Sequence, residues 1–169
     1  MTDERRGKRS AHILLVEDNE DHALLAMEAF ERGKLVVDVR HVENGVECMK
    51  YLRKEGRYSD APSPDLVLLD IHMPMMDGYE VIAAIRKDPH LMLIPVVVMS
   101  TSTEDAGVRR MYELGCNSYI AKPVEFGNFV ELLARILWFR ISPMFASARR
   151  LVRGPIVRHR IRQQKNSDW

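Results

Sequence analysis

The feature that most constrains this chain is an apolar run enclosed by two aspartates, Asp65 and Asp70. Residues 66–69 have no polar alternation, which is typical of a strand buried on both faces. The run stops at Asp70, and Pro74 and Gly78 then favour a loop. A carboxylate therefore ends a central strand, at the edge where open parallel α/β sheets bind ligands. This stretch alone leaves open the alternative that Asp70 only caps the loop.

Further strand-like and helix-like runs alternate on either side of this central strand. Strands are predicted at residues 12–16, 36–42, 95–100 and 118–121, and helices at 19–33, 46–54, 79–87, 104–114 and 126–139. Asp18 or Asn19 suits the N-cap of the first helix, in which Leu24 is one of several apolar residues at helical spacing. Asn44 and Gly45 predict a turn. Strands that alternate with helices predict a doubly wound parallel sheet with right-handed crossovers.

Chemically useful side chains follow four of the predicted strands. They are Glu17, Asp18, Asp70, Ser100 and Lys122. Since parallel strands deliver their C-terminal ends to one edge of a sheet, we expect these side chains in one cleft. Three crowded carboxylates repel one another without a cation, and Mg²⁺ favours such oxygen ligands. A carboxylate with a neighbouring lysine and hydroxyl suits phosphoryl transfer to Asp70.

These residues resemble the receiver domain of two-component response regulators. The matching pieces are Glu17-Asp18, Asp70, Met73-Pro74-x-Met76-Asp77-Gly78, Ser100, Tyr119 and Lys122-Pro123. The resemblance covers residues 11–139, between a disordered leader at 1–10 and a basic C-terminal extension at 140–169. It implies a flavodoxin-like (βα)5 sheet with strand order 2-1-3-4-5, to which the extension adds a helical arm.

The same resemblance implies a role for each site residue. Asp70 is the phosphoacceptor, Lys122 pairs with the acyl phosphate, and Ser100 and Tyr119 form the switch. The peptide bond between Lys122 and Pro123 is expected to be cis.

The resemblance also implies how Mg²⁺ is held. Asp18 and Asp70 are the carboxylate ligands, the backbone carbonyl of His72 is a third ligand, and Glu17 acts through water. The imidazole of His72 is expected to point away from the ion.

Other functions remain open for such a carboxylate. A haloacid-dehalogenase-like phosphatase also forms an aspartyl-phosphate, but it places a second acid two residues after the nucleophile, where this chain has His72. The complete set of acids, hydroxyl and lysine argues against a second alternative, an interaction domain of receiver fold that is not phosphorylated. We therefore predict a single-domain phosphoacceptor that switches a protein-interaction surface, and not a dedicated turnover enzyme.

Charge is divided unevenly between the body of the chain and its extension. Of 25 basic and 24 acidic residues, eight basic residues and one acid follow position 139, so the extension carries +7 and the body −6. Apolar residues on one helical face of the extension favour an arm that packs on a partner subunit. The alternatives for the extension are a disordered tail, or a segment that binds nucleic acid or anionic lipid. We expect a homodimer through the fourth helix, fifth strand, fifth helix and arm.

The implied partner is a histidine kinase or a phosphotransfer protein. Residues 136–143 and the loop at 57–64 are similar to stand-alone regulators paired with phytochrome histidine kinases. Cys48 and Cys116 are too few for a disulfide framework or a zinc site. Because no signal peptide and no bilayer-spanning apolar run is present, a reducing cytoplasm is the expected location.

Overall fold

The computed structural model describes residues 10–33, 36–101, 105–122, 127, 131–133 and 135. Strands are β1 (Ala11–Val16), β2 (Val37–Val42), β3 (Leu66–Asp70), β4 (Val96–Ser100) and β5 (Ser118–Ala121). Helices are α1 (Glu20–Arg32), α2 (Gly45–Arg53), α3 (Gly78–Lys87) and α4 (Asp105–Leu114), with a 3₁₀ turn at Gly56–Tyr58.

All strand pairs are parallel, and the sheet order is β2-β1-β3-β4-β5. The predicted doubly wound sheet and its strand order are therefore confirmed. The register places Val16 beside Leu69, and Asp70 beside Met99. Consequently the C-terminal ends of the three central strands are nearly level, and the residues that follow them share one edge.

Alternate strand residues pack into two separate apolar cores, one on each face of the sheet. On one face Val16, Leu69 and Val98 meet α2, α3 and α4. On the other face Leu15 and Leu68 meet Phe30 of α1 together with Leu133, which lies in the helical residues 131–133. Both faces of β3 and β4 are fully covered, which explains why their sequences are continuous apolar runs.

Side-chain caps fix where two of the helices begin. Asn19 is the N-cap of α1 and accepts a hydrogen bond from the backbone N–H of His22 at 3.0 Å. Asp18 does not serve as this cap and lies at the sheet edge. The chain turns between β2 and α2 as predicted at Asn44 and Gly45. Asn44 is the N-cap of α2 and accepts from the N–H of Glu47 at 2.9 Å, and Gly45 is already the first residue of the helix.

The exposed face of α1 carries two leucines. Leu24 is 58 % and Leu25 63 % exposed, whereas Ala23 and Phe30 of the same helix are buried. The apolar residues at helical spacing in α1 are therefore not all part of the core, since Leu24 lies on the exposed side.

Several predictions fall outside the described residues. They are the leader at 1–10 except for Ser10, the extension at 140–169, the peptide bond to Pro123 and most of the helix predicted at 126–139. Within the described ranges, no helix is both long and apolar enough to cross a membrane.

Candidate functional site

Three carboxylates meet at the C-terminal edge of the sheet. Glu17 follows β1 and is buried, Asp18 comes next and is exposed, and Asp70 is the last residue of β3 and is buried. One oxygen from each carboxylate lies within 4.8 Å of the others. The sheet therefore brings together the three acids that the sequence predicted in one cleft.

Lys122 follows β5 and completes this cluster. Its ammonium Nζ contacts Oε2 of Glu17 and lies 3.5 Å from Oδ1 of Asp70. Its backbone N–H donates to the carbonyl of Ser100 at 2.8 Å, which ties the end of β5 to the end of β4. The side chain of Lys122 is only 10 % exposed, so its charge acts where water screens little.

Burial dominates the electrostatics of Asp70. It raises the pKa of this carboxyl above its usual value, the ammonium of Lys122 opposes the rise, and the carboxylate of Glu17 adds to it. Two buried acids thus share one lysine. Two carboxylates and one ammonium leave a net negative charge when both acids are ionised. A further cation would relieve the repulsion between the carboxylates.

The donor set of this cluster fits a hard divalent cation. All three side chains offer carboxylate oxygens, and no imidazole or thiol belongs to the metal-binding group found among the described residues. Mg²⁺ and Mn²⁺ take such oxygen ligands, whereas Zn²⁺ favours nitrogen and sulfur. Because Asp18 is exposed, an ion held here would keep a side open to water or to a phosphoryl oxygen.

The loop after β3 depends on a glycine for its path. A Cβ at Gly78 would lie 2.7 Å from both the carbonyl oxygen of Asp70 and the Cα of Ile71. Glycine therefore lets the start of α3 pack directly against the backbone at the site. Asp77 caps this helix with a reciprocal pair of hydrogen bonds to Glu80. His72, between Asp70 and this cap, is exposed.

Ser100 and Tyr119 lie on the β4 and β5 side of the cleft. Ser100 is fully buried at the end of β4. The ring of Tyr119 is half-buried against the first core, and its hydroxyl lies 3.5 Å from the carbonyl oxygen of Ser100. This distance is long for a hydrogen bond between oxygens, so it places the two residues beside each other without a tight link.

Two histidines near the acids were not identified from the sequence. Nδ1 of His22, in the first turn of α1, lies 3.3 Å from Nζ of Lys122. Nε2 of His41, near the end of β2, lies 2.7 Å from the carbonyl oxygen of Glu17 and can only donate to it. A signal for His22 was present, since it stands one helical turn after Asp18.

The family model of the response regulator receiver domain matches residues 13–134 of this chain. The chain belongs to this family. The receiver domain thus covers all described strands except the first two residues of β1, and it contains every described site residue.

Curated relatives of this receiver domain include two regulators that it matches over most of their length. It is 44 % identical over 125 residues to the probable methanogenesis regulatory protein FilR2 of Methanothrix harundinacea, covering 73 % of this chain and 79 % of the relative. It is 38 % identical over 124 residues to response regulator Rcp1 of Synechocystis sp., covering 73 % and 84 %.

Solved structures give the same family and fold. The phosphorylated cyanobacterial phytochrome response regulator RcpA matches at TM-score 0.69 and 40 % identity, over 79 % of this chain and 96 % of that one. The bacteriophytochrome response regulator RtBRR matches at TM-score 0.69 and 38 % identity, over 76 % and 78 %. The Mn²⁺-bound form of Rcp1 matches at TM-score 0.67 and 33 % identity, over 79 % and 96 %.

Proposed function

We propose that this receiver domain accepts a phosphoryl group from a histidine kinase onto Asp70 in a Mg²⁺-dependent reaction and thereby switches a protein-interaction surface. The observation that carries the proposal is the buried carboxylate of Asp70, clustered with Glu17 and Asp18 and 3.5 Å from the ammonium of Lys122. A carboxylate nucleophile beside a cation is the arrangement that an aspartyl-phosphate requires.

In the transfer step, a carboxylate oxygen of Asp70 attacks the phosphorus of a phosphohistidine on the kinase. The P–O bond forms as the P–N bond breaks, and the electron pair of the broken bond stays on the imidazole nitrogen. Lys122 stabilises negative charge on the phosphoryl oxygens, since its ammonium already lies beside Asp70. A bound Mg²⁺ would offset the charge of the carboxylates and of the phosphoryl group.

Asp18 and Asp70 are proposed as the carboxylate ligands of the ion, with the backbone carbonyl of His72 as a third protein ligand and Glu17 acting through water. The clustering of the three carboxylates supports this assignment. The exposed imidazole of His72 agrees with ligation by its backbone alone.

Ser100 and Tyr119 are proposed as the switch. A phosphoryl group on Asp70 would draw the hydroxyl of Ser100 toward its oxygens, and the loop after β4 would follow. Tyr119 lies beside Ser100, so its ring would pack further toward the core and change the surface formed by α4 and β5.

The proposal predicts that Asp70→Asn abolishes phosphorylation by acetyl phosphate, because an amide does not attack phosphorus. Asp60→Asn is the matched control, since Asp60 is exposed on the loop that leads to the opposite edge of the sheet. Intact-protein mass spectrometry would measure the added phosphoryl group with and without a Mg²⁺ chelator. A base-labile phosphoryl group that persists on the Asp70→Asn variant would contradict the assignment.

The phosphodonor is proposed to be a histidine kinase, or a phosphotransfer protein that relays from one. The similarity to RcpA and to RtBRR supports a phytochrome as that kinase. A phosphotransfer screen against the histidine kinases of the source organism tests this, and preferential transfer from a kinase without a phytochrome sensor would contradict it.

A phosphoacceptor is favoured over a dehalogenase-like phosphatase, because His72 stands where such an enzyme places its second acid. We propose that the domain takes part in its own phosphorylation and has no separate turnover activity. The cytoplasm is its proposed location, which suits two buried free cysteines.

We further propose three segments: a leader at 1–10, the receiver domain at 11–139 and a basic extension at 140–169. The extension is proposed to pack as an arm on a second copy of the chain, in a homodimer formed through α4, β5 and the fifth helix. Its charge of +7 against a body of −6 supports contact between the arm and a receiver surface. Nucleic acid is the less favoured partner, and a salt-dependent gel shift would detect it.

A further inference from the structure

His22 lies beside the lysine of the site without belonging to the predicted set of site residues. Its imidazole is on the first turn of α1, and its side chain is 44 % exposed. Nδ1 is 3.3 Å from Nζ of Lys122 and 3.7 Å from Oε1 of Glu17. The imidazole is therefore nearer to the ammonium than to the acid.

The chemistry of the two groups fixes the direction of the shorter contact. An ammonium has three N–H donors and no acceptor, so Nδ1 of His22 takes part in this hydrogen bond only as the acceptor, in the tautomer that carries its proton on Nε2. Three of the described residues place an acceptor near Nζ, namely Glu17, Asp70 and His22. Each N–H of the ammonium can thus meet one acceptor.

The backbone that carries His22 is held independently of the lysine. The N–H of His22 donates to the side chain of its own N-cap, Asn19, at 3.0 Å. The N–H of Asn19 in turn donates to Oε1 of Glu17 at 3.3 Å. The acceptor nitrogen therefore sits on a helix turn that is anchored to the same acid that Lys122 contacts.

We propose that His22 is a positioning residue for phosphoryl transfer, which accepts one N–H of Lys122 and so orients the ammonium toward Asp70. Two acceptors leave a lysine on its flexible stem free to swing about the line that joins them, whereas a third acceptor removes that freedom. The inference rests on the proposed function, in which Lys122 stabilises the charge of the transferred group.

Two substitutions at His22 separate loss of the acceptor from loss of the side chain. His22→Leu removes the acceptor and keeps comparable bulk, and His22→Asn restores an acceptor oxygen close to the position of Nδ1. His90→Leu is the matched control, because His90 is exposed on the loop after α3, at the opposite edge of the sheet. Circular dichroism of each variant would establish that the fold is kept.

The kinetic test is the initial rate of phosphorylation by acetyl phosphate at saturating Mg²⁺. We expect His22→Leu to slow the reaction about threefold to tenfold, the scale of the net contribution of one ordinary hydrogen bond. We expect His22→Asn to stay within about twofold of the natural protein, because its amide oxygen can accept the same N–H. His90→Leu should match the natural protein, and equal losses in both His22 variants would overturn the proposal.

A second readout does not depend on phosphorylation. In nuclear magnetic resonance spectra of the ¹⁵N-labelled protein, the Nζ protons of Lys122 should exchange with water faster in His22→Leu than in the natural protein and in His22→Asn. Unchanged exchange in His22→Leu would overturn the inference even if Asp70 is phosphorylated.

Normal phosphorylation kinetics in His22→Leu would overturn it as well, while leaving the proposed function intact. Phosphorylation of the Asp70→Asn variant would instead contradict the proposed function. The contact between His22 and Lys122 would then be tested by the exchange measurement alone.

Discussion

Met75, in the loop after β3, has a φ of 69°. This left-handed conformation costs an ordinary side chain about 1–2 kcal/mol and is much easier for glycine or asparagine. Its side chain is also 75 % exposed, so little packing offsets the strain. A single residue thus stores conformational energy in the loop that joins β3 to α3.

We expect Met75→Asn to raise the free energy of unfolding by about 1 kcal/mol, because asparagine adopts the left-handed region at lower cost. Urea denaturation monitored by circular dichroism would measure the gain. Met92→Asn is the control, since Met92 is also exposed but is not among the described residues with positive φ. Equal changes in the two variants would exclude backbone strain as the cause.

The two thiols predict how stability depends on alkaline pH. Burial raises the pKa of Cys48 to about 12 and that of Cys116 to about 11, from an ordinary value of 9.0. Above pH 9 the unfolded chain loses these protons while the folded chain keeps them. The contribution of the thiols to stability is therefore complete below pH 9 and is lost as the pH rises toward 11 and 12.

We expect the free energy of unfolding to fall less steeply above pH 9 in Cys48→Ala than in the natural protein, because the variant lacks one of these protons. Urea denaturation between pH 8 and pH 10.5 would measure both slopes. The cavity in the variant lowers its stability at every pH, so the slopes and not the absolute values are compared. Parallel curves would contradict the prediction.

At the scale of elements, Arg86 joins α3 to the loops that precede β4 and β5. Its guanidinium donates to the carbonyls of Gly115, Met92 and Ile94 at 2.8–2.9 Å and to the side chain of Asn117 at 2.8 Å. No acid pairs with it in these contacts, and burial lowers the pKa of Arg86 below its usual value. Arg86 therefore links α3 to both loops at the edge of the sheet opposite the cleft.

We expect Arg86→Met to lower the free energy of unfolding by about 3 kcal/mol, because several carbonyls lose a charged donor. Arg53→Met is the control, since its side chain is exposed and pairs with Asp88 at 3.6 Å, which is its one ion pair among the described residues. This variant should lose no more than about 1 kcal/mol. Chemical denaturation measures both values. Similar losses would show that the contacts of Arg86 contribute no more than an exposed pair.

The sequence predicted the elements whose environment is uniform along their length. Residues 66–69 and 95–100 were identified as buried strands because both of their faces are covered. The N-cap role of Asn44 was not predicted, because an asparagine followed by a glycine suits a turn as well as a helix N-cap. The exposure of Leu24 was not predicted either, because helical spacing locates an apolar stripe but not how much of its width the sheet covers.

The site was predicted in outline from the positions where strands end. Glu17, Asp70 and Lys122 meet because parallel strands share an edge, which is a rule of topology that sequence order reveals. The contacts of His22 and Arg86 could not be predicted in the same way. They depend on how helices are oriented on the sheet. The spacing of His22 from Asp18 indicates only that it lies near the site, and it does not encode the contact with Lys122.

At the scale of the whole molecule, the proposed dimer predicts a dependence on the extension. We expect the full chain to sediment as a dimer and a chain that ends at Arg140 to dimerise more weakly, because the arm would no longer cover the partner. Analytical ultracentrifugation of both, with and without beryllofluoride as a phosphoryl mimic, measures this. Asp70→Asn is the control for the mimic, since it removes the carboxylate that would hold it.

A full-length protein that stays monomeric at micromolar concentration in both states would contradict the dimer. The basic extension would then be a solvated tail. A dimer that is insensitive to beryllofluoride would retain the interface but remove its control by phosphorylation.

Glu17 and Lys122 contact each other although 105 positions separate them in the chain. During synthesis, the first acid of the site leaves the ribosome long before the lysine that neutralises it. Until β5 has emerged and paired with β4, Glu17 and Asp70 have no ammonium beside them and their burial is unfavourable. The charge balance of the site is therefore completed only when the last strand of the sheet has paired, so the acids become favourable to bury late in the synthesis of the domain.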